Sequence, residues 1–298
     1  MREKLENNTF SGYPNRSLTR SLLSHRTLFG TLMTILAFVC GGLAILPLLA
    51  VLFYVGIQGF SSLNLTVLTQ LPPPPLVQGG GFGNAIVGTL IMVGIGALIS
   101  IPFGVMAAIY LTEFSKGSLS QRIRFATNVL SGIPSIIAGV FAYGIVVITM
   151  GKFSAIAGGV ALSVLMLPVI ARTTDEALKL VPQDLRQASL GLGATNFQTV
   201  SKVVLPAALP AIVTGATLAI ARASGETAPL LFTALFAQFW PNNLLSPTPS
   251  LAVLVFNFAI SPFKNWQQLA WAASLILVLM VLITSMIARW VTRQKVYG

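Results

Sequence analysis

The chain has 298 residues, of which 55% are hydrophobic and only 8% charged, with a mean hydropathy of +0.84. A soluble domain carries roughly a quarter charged residues, so the composition excludes one and leaves an all-α integral membrane protein of about six spans. The formal net charge of +11 would suit a nucleic-acid binder, but the basic residues stand at the ends of apolar runs, where they orient a membrane protein, and no nucleic-acid partner is expected.

Residues 1–27 form a polar N-terminal tail with Arg2, Lys4, Arg16, Arg20 and Arg26 against Glu3 and Glu6. The apolar run 28–57 that follows exceeds a signal-peptide core of roughly 7–15 residues and is read as a retained first span. Cys40 is the only cysteine, so no disulfide framework arises, and it is expected as a small buried hydrophobe. His25 is the only histidine and stands in the tail, so neither a catalytic nor a metal role is expected of it.

Residues 58–83 contain no Lys, Arg, Asp or Glu. Pro72–Pro75 should be stiff and extended and Gly79–Gly81 flexible, giving a surface loop or a docking edge for an external partner. Span two covers 84–111 and is kinked at Pro102. A basic loop at 112–124 precedes span three at 125–150, which contains Ser131-Gly132-Ile133-Pro134-Ser135. Gly and Pro in a span call for neighbours that satisfy the freed backbone, so this stretch should face protein or a cavity. Span four covers 153–171, with Pro168 near its end.

Two capping-box patterns follow, Thr173-x-x-Glu176 and Thr195-x-x-Gln198. With Gly191 and Gly193 between them, residues 173–206 read as short helices joined by a turn, a rigid knob for a partner. Span five is placed at 208–235. Residues 251–260, apolar and bounded by Pro247, Pro249 and Pro262, are too few to cross a bilayer and read as a short external helix, interfacial or re-entrant. Phe239, Trp240, Phe263 and Trp266 suit an aromatic belt. Span six covers 267–291 and leads to a basic tail at 293–298, so the six-span domain occupies 28–292. Fifteen Lys and Arg fall on one side of these spans, two on the other, and Arg222 lies within span five. The excess places both termini in the cytoplasm.

Chemistry is confined to few residues. Of the seven acidic residues only Glu226 lies in a span, four positions after Arg222. Each charge costs about 2.5–3.5 kcal/mol at a span centre on insertion scales, so the pair must face the bundle interior or water. Arg222 offers planar bidentate donors to an oxyanion, with Glu226 as its resting partner; an internal pair that merely fixes packing is the other reading. Gly215, Ala219 and Ala223 form a small-residue stripe that allows close helix approach. Arg172, beside Thr173 and Thr174, either assists anion exit or anchors span four. No phosphate-binding G-x-x-x-x-G-K-[ST] loop and no H-E-x-x-H is present; no metal or cofactor is expected, and any ATP must be hydrolysed on another chain.

The stretch Gln187-Ala188-Ser189-x-x-x-Gly193, nine residues and then Val203-Val204-Leu205-Pro206 resembles the E-A-A-x-x-x-G-x9-I-x-L-P signature of ABC importer membrane subunits. Gln187, Ser189 and Val203 replace Glu, Ala and Ile, while Ala188, Gly193, Leu205 and Pro206 match. Within that family four stretches resemble phosphate permeases of the PstA type: Gly79–Gly81 with Asn84–Thr89, Ser131–Ser135, Arg172–Thr174, and above all 221–229, Ala-Arg-Ala-Ser-Gly-Glu-Thr-Ala-Pro. The resemblance implies the type I importer fold, a bacterial inner-membrane location, and a coupling loop at 183–206 that docks on an ATPase. It implies two ATPase subunits, a second related permease subunit forming a heterodimer, an external phosphate-binding protein, and phosphate as substrate. Arg222, Glu226, Arg172, Ser224 and Thr227 would line the pathway. A sulfate or molybdate permease, and an ion-driven secondary anion transporter, remain alternatives.

Overall fold

The computed structural model describes residues 25–115 and 117–294. Most of the expected polar tails, 1–24 and 295–298, lie outside the described residues, as does Lys116. The chain divides between Tyr54 and Val55 into two units.

Helix α1 (His25–Ser61) supplies the first unit and enters the second. From Leu28 to Tyr54 its side chains are exposed on all sides, Cys40 among them. The expectation of a buried cysteine is therefore corrected. A helix apolar all round has no polar face to turn to water, and lipid is the solvent that such a surface suits.

The second unit is helical throughout its regular structure. After α1 come α2 (Leu65–Thr69), α3 (Gly83–Ile109), α4 (Ser118–Ser131), α5 (Ser135–Ala142), α6 (Ile148–Met150), α7 (Ala155–Lys179), α8 (Gln183–Gly191), α9 (Asn196–Thr199), α10 (Leu205–Ser224), α11 (Ala228–Thr233), α12 (Leu251–Ala259) and α13 (Lys264–Gln294). Three single π-helical turns adjoin these: Tyr110–Phe114 extends α3, Tyr143–Val147 bridges α5 to α6, and Val200–Val204 bridges α9 to α10. Among the described residues five helices are long and apolar enough to cross a membrane, and a sixth crossing is completed if the bent pair Ser118–Ser131 and Ser135–Met150 counts as one.

Four expectations need correction. First, the stretch placed in span three begins earlier, at Ser118, and is bent: α4 and α5 meet at 104°. Ile133 precedes Pro134, which disfavours helical backbone there, and α4 carries Gln121, Arg122, Arg124 and Asn128, too polar for a span. Second, Thr173 caps nothing. Helix α7 runs from Ser154, whose hydroxyl accepts from Ala157 N–H, through to Lys179. The Thr173 hydroxyl donates instead to Val169 O at 2.9 Å, inside the helix. Third, the span-five helix starts at Asn196, is continuous through the π turn and ends at Ser224; residues 225–227 break it before α11. Fourth, Gly79–Gly81 is folded over α2 rather than loose. Gly80 has φ +71°, Gly81 N–H donates to Leu71 O at 2.9 Å, and a Cβ on Gly81 would stand 2.2 Å from Val67 O. Only glycine fits so close to another backbone.

Helix α7 is the centre of the second unit. It packs along α3 and contacts α4, α5, α10 and α11, while α13 closes against α10 and α12. Met92, Leu162, Met166, Ile170, Ala219 and Ala223 fill the middle of this bundle. At one end Val67, Phe82, Leu254, Phe258 and Ala272 form a second core, and at the basic end Leu178, Val181, Val204, Ala208 and Ile212 form a third. The short helix α12 is buried between α3 and α13, with Leu251 N–H donating to Thr89 Oγ1 at 2.8 Å. Trp266 stacks on Phe258 with ring centroids 4.6 Å apart, and its Nε1–H donates to Pro73 O at 3.0 Å; it pins the proline loop.

Candidate substrate path and coupling loop

Alanine-rich α10 turns Ala219 and Ala223 into the core, only 1% and 2% exposed. The opposite face, bearing Thr214, Leu218 and Arg222, is exposed. Arg222 lies in the last helical turn, where a cation complements the helix dipole. Glu226 lies beyond the helix end, its N–H donating to Ala223 O at 3.2 Å. The pair is made across the helix break, with Arg222 Nε 3.6 Å from Glu226 Oε1 and side chains 61% and 17% exposed. The guanidinium is therefore open to a ligand while the carboxylate is held half-buried behind it. Ser224 is buried and donates to Ile220 O at 2.8 Å. Thr227, half-buried, gives its carbonyl to Leu230 and Leu231 N–H. The four residues Arg222, Ser224, Glu226 and Thr227 thus share one helix break.

Arg172 is elsewhere. It lies near the basic end of α7, and its Nε donates to Glu176 Oε1 at 3.0 Å on an exposed surface. A cavity of about 420 Å³ opens beside it, lined by Thr127, Asn128, Arg124, Asp175 and Lys179 among others.

The loop residues are brought together by α8 and α9. Gln187, Ala188 and Gly193 are exposed, and Ser189 is half-buried with its hydroxyl 3.0 Å from Thr199 Oγ1. Gly193 takes φ +86° at the turn, where a side chain would be strained. Thr195 and Gln198 make both bonds of a capping box and so start the next helix. Leu205 packs against the core at the basic end, and Pro206 sits at the start of α10. Leu192 is 90% exposed, apolar surface in the turn after the short helix α8.

Sequence reasoning misses a group of charges behind this loop. Asp175 accepts from Thr112 Oγ1 and Lys179 Nζ, both at 2.6 Å, and from Arg124, whose Nη2 also donates to Leu111 O at 3.1 Å. Glu113 pairs with Arg186. Only the Asp175–Lys179 pair has the local i,i+4 spacing; the other partners lie 51 to 73 positions apart, beyond any local spacing rule. Scarcity was the available signal, since an acid in a chain this apolar needs a partner. Among the described residues no cluster of His, Cys, Asp or Glu suits a metal ion.

A family model described as the binding-protein-dependent transport system inner membrane component matches residues 100–296. The chain is 43% identical over 249 residues to the phosphate transport system permease protein PstA of Yersinia pestis, covering 83% of this chain and 84% of the relative. It is 33% identical over 267 residues to a probable PstA of Methanocaldococcus jannaschii, covering 88% and 94%. Among solved structures it is similar in fold to a chain of the MetNI methionine ABC transporter in an inward-facing conformation, with TM-score 0.57 at 23% identity, covering 72% of this chain and 93% of the other. A chain of a bacterial alginate ABC transporter gives TM-score 0.58 at 13% identity, covering 92% and 95%. The chain belongs to the family of binding-protein-dependent transport system inner membrane components, in its PstA branch.

Proposed function

We propose that this chain is the permease subunit of an ATP-driven phosphate importer, in which Arg222 receives the anion at the helix break and the 183–206 loop docks on an ATPase chain. The single observation that carries the pathway is the exposed guanidinium of Arg222 on an apolar helix. Lipid cannot accommodate it cheaply, so in the assembled protein that face is covered by a second permease subunit or lines water. A broken helix at such a place is how membrane transporters bring polar groups to a substrate. The related permease named PstA in Yersinia pestis supplies the substrate class. Ser224 and Thr227 are the hydroxyl-bearing neighbours of that site, and Arg172 stands where an anion leaves toward the cytoplasm.

The exposed Leu192, with Gln187 and Ala188 beside it, gives the docking face for the ATPase. An external phosphate-binding protein delivers the anion to the opposite end of the bundle. The chain itself hydrolyses nothing; its work is to open and close around the path.

The deciding experiment is ATP-dependent uptake of labelled phosphate in vesicles holding the whole complex, with sulfate as competitor, for the unmodified chain and Arg222→Gln. Uptake that resists sulfate and disappears in the variant, with assembly intact, is expected. Unchanged uptake in the variant moves Arg222 to a packing role. Uptake driven by a proton gradient without ATP would make the chain a secondary transporter.

A further inference from the structure

Helix α8 has no buried residue, so it is not held to the bundle by an apolar face of its own. Apart from the Ser189–Thr199 hydroxyl contact within the loop, one side chain ties it down from its middle. Arg186 pairs with Glu113, the two side chains being 13% and 8% exposed, and its Nη2 donates to Leu178 O at 2.7 Å. A single guanidinium therefore touches the coupling-loop helix, the last turn of α7 and the π-helical turn that ends α3. The pair is costly: Glu113 Oε1 and Arg186 Nε are buried with no partner. A buried ion pair with unmet donors and acceptors is a poor stabiliser compared with apolar packing. The π turn bearing Glu113 closes with Ser115 N–H donating to Tyr110 O at 2.8 Å. Such turns are rare, poorly stabilised and concentrated at functional positions, because one residue of register is absorbed in them.

From this geometry we propose that Arg186 and Glu113 are the mechanical link that passes movement of α8 to α3, as positioning residues for transport. The idea rests on the reading of the chain as an ATP-driven permease. When an ATPase displaces α8, the rigid fork of Arg186 draws the Glu113 carboxylate with it, and the π turn lets the end of α3 follow without breaking the helix above. The Asp175 group holds the same π turn to α7 and α4, through Thr112 Oγ1 and through Arg124 to Leu111 O, so the ends of these helices follow α8 together.

The test uses the complete importer in proteoliposomes, with phosphate uptake and ATP hydrolysis measured on one preparation. For Arg186→Met and Glu113→Gln, uptake per ATP should fall at least about fivefold, the lower end of usual coupling between sites, while hydrolysis persists. Arg186→Lys should give an intermediate ratio, because an ammonium cannot hold both Glu113 and Leu178 O in the same fork. The exchange Glu113→Arg with Arg186→Glu should recover part of the ratio. If uptake and hydrolysis fall together at an unchanged ratio, or neither changes, the link is overturned. Should the first two variants fail to assemble, Arg186→Lys decides alone, an unchanged ratio overturning the link. An unmodified complex that imports no phosphate with ATP defeats the importer reading instead.

Discussion

Gly215 of α10 lies so close to Thr173 of α7 that a Cβ in its place would stand 2.2 Å from the threonine Oγ1 and 2.6 Å from its Cβ. The two helices meet there backbone to side chain. This is the close approach for which the small-residue stripe of α10 exists, and Ala219 and Ala223 continue it into the core.

Gly215→Ala should therefore destabilise the protein by about 1–3 kcal/mol, the usual cost of overpacking a filled interface. Gly94→Ala is the matched control: it lies within α3 with nothing within 4 Å of the added Cβ, and should be neutral or stabilising by up to about 1 kcal/mol. Thermal unfolding of both variants in detergent checks the contrast. Equal Tm values for the two would contradict the close packing.

Much of the fold was legible because its signals are physical and local. The apolar runs gave the spans, and Gly193 before Thr195 gave a true helix start. The matching pattern at Thr173 misled for a reason that the neighbours make plain. Helix α7 runs through Pro168 and on along Val-Ile-Ala-Arg at 169–172 without stopping, so the hydroxyl serves its own helix. The bend at Pro134 was signalled by the sequence, but its consequence was not, since a turn of 104° depends on where α4 finds partners. At the site, Arg222 and Glu226 stood out as charges among apolar residues. Their separation across a helix end did not, because spacing alone cannot tell a helical i,i+4 pair from one made over a break at Gly225.

The Asp175 group should behave as one unit. Asp175→Asn removes the charge that Arg124 and Lys179 share, and should cost about 1–3 kcal/mol as charged hydrogen bonds are lost. Arg124→Met should cost a similar amount. The double variant should cost clearly less than the two together, because each single change already breaks the shared contact. Additive losses in a double-mutant cycle of unfolding free energies would show that the contact carries no weight.

Leu192 bears on docking rather than on stability. Its side chain is 90% exposed and touches no core, so Leu192→Asp should leave the Tm unchanged. If the face is covered by an ATPase chain, burying that leucine contributes about 1.5–3 kcal/mol, and a buried aspartate would lose at least that. Retention of the ATPase subunits on the purified, tagged permease should then fall by about tenfold or more. Full retention would place the docking surface elsewhere on the loop.

If Arg222 receives the anion as proposed, Glu226 competes with it for the same guanidinium, and that gives the pathway a kinetic signature that a packing pair lacks. With Glu226 neutral, Arg222 no longer has a carboxylate 3.6 Å away and is free to bind. Glu226→Gln should therefore lower the KM for phosphate uptake, since one charged hydrogen bond contributes about 1.5–3 kcal/mol. The same change should lower kcat, because the carboxylate that displaces the anion is gone. A KM and kcat falling together mark ground-state binding that has become too tight. Arg222→Gln in the Glu226→Gln background should abolish uptake, as Arg222→Gln does alone. If Glu226→Gln changes Tm but neither kinetic constant, the pair fixes the helix break and the anion is bound by other residues.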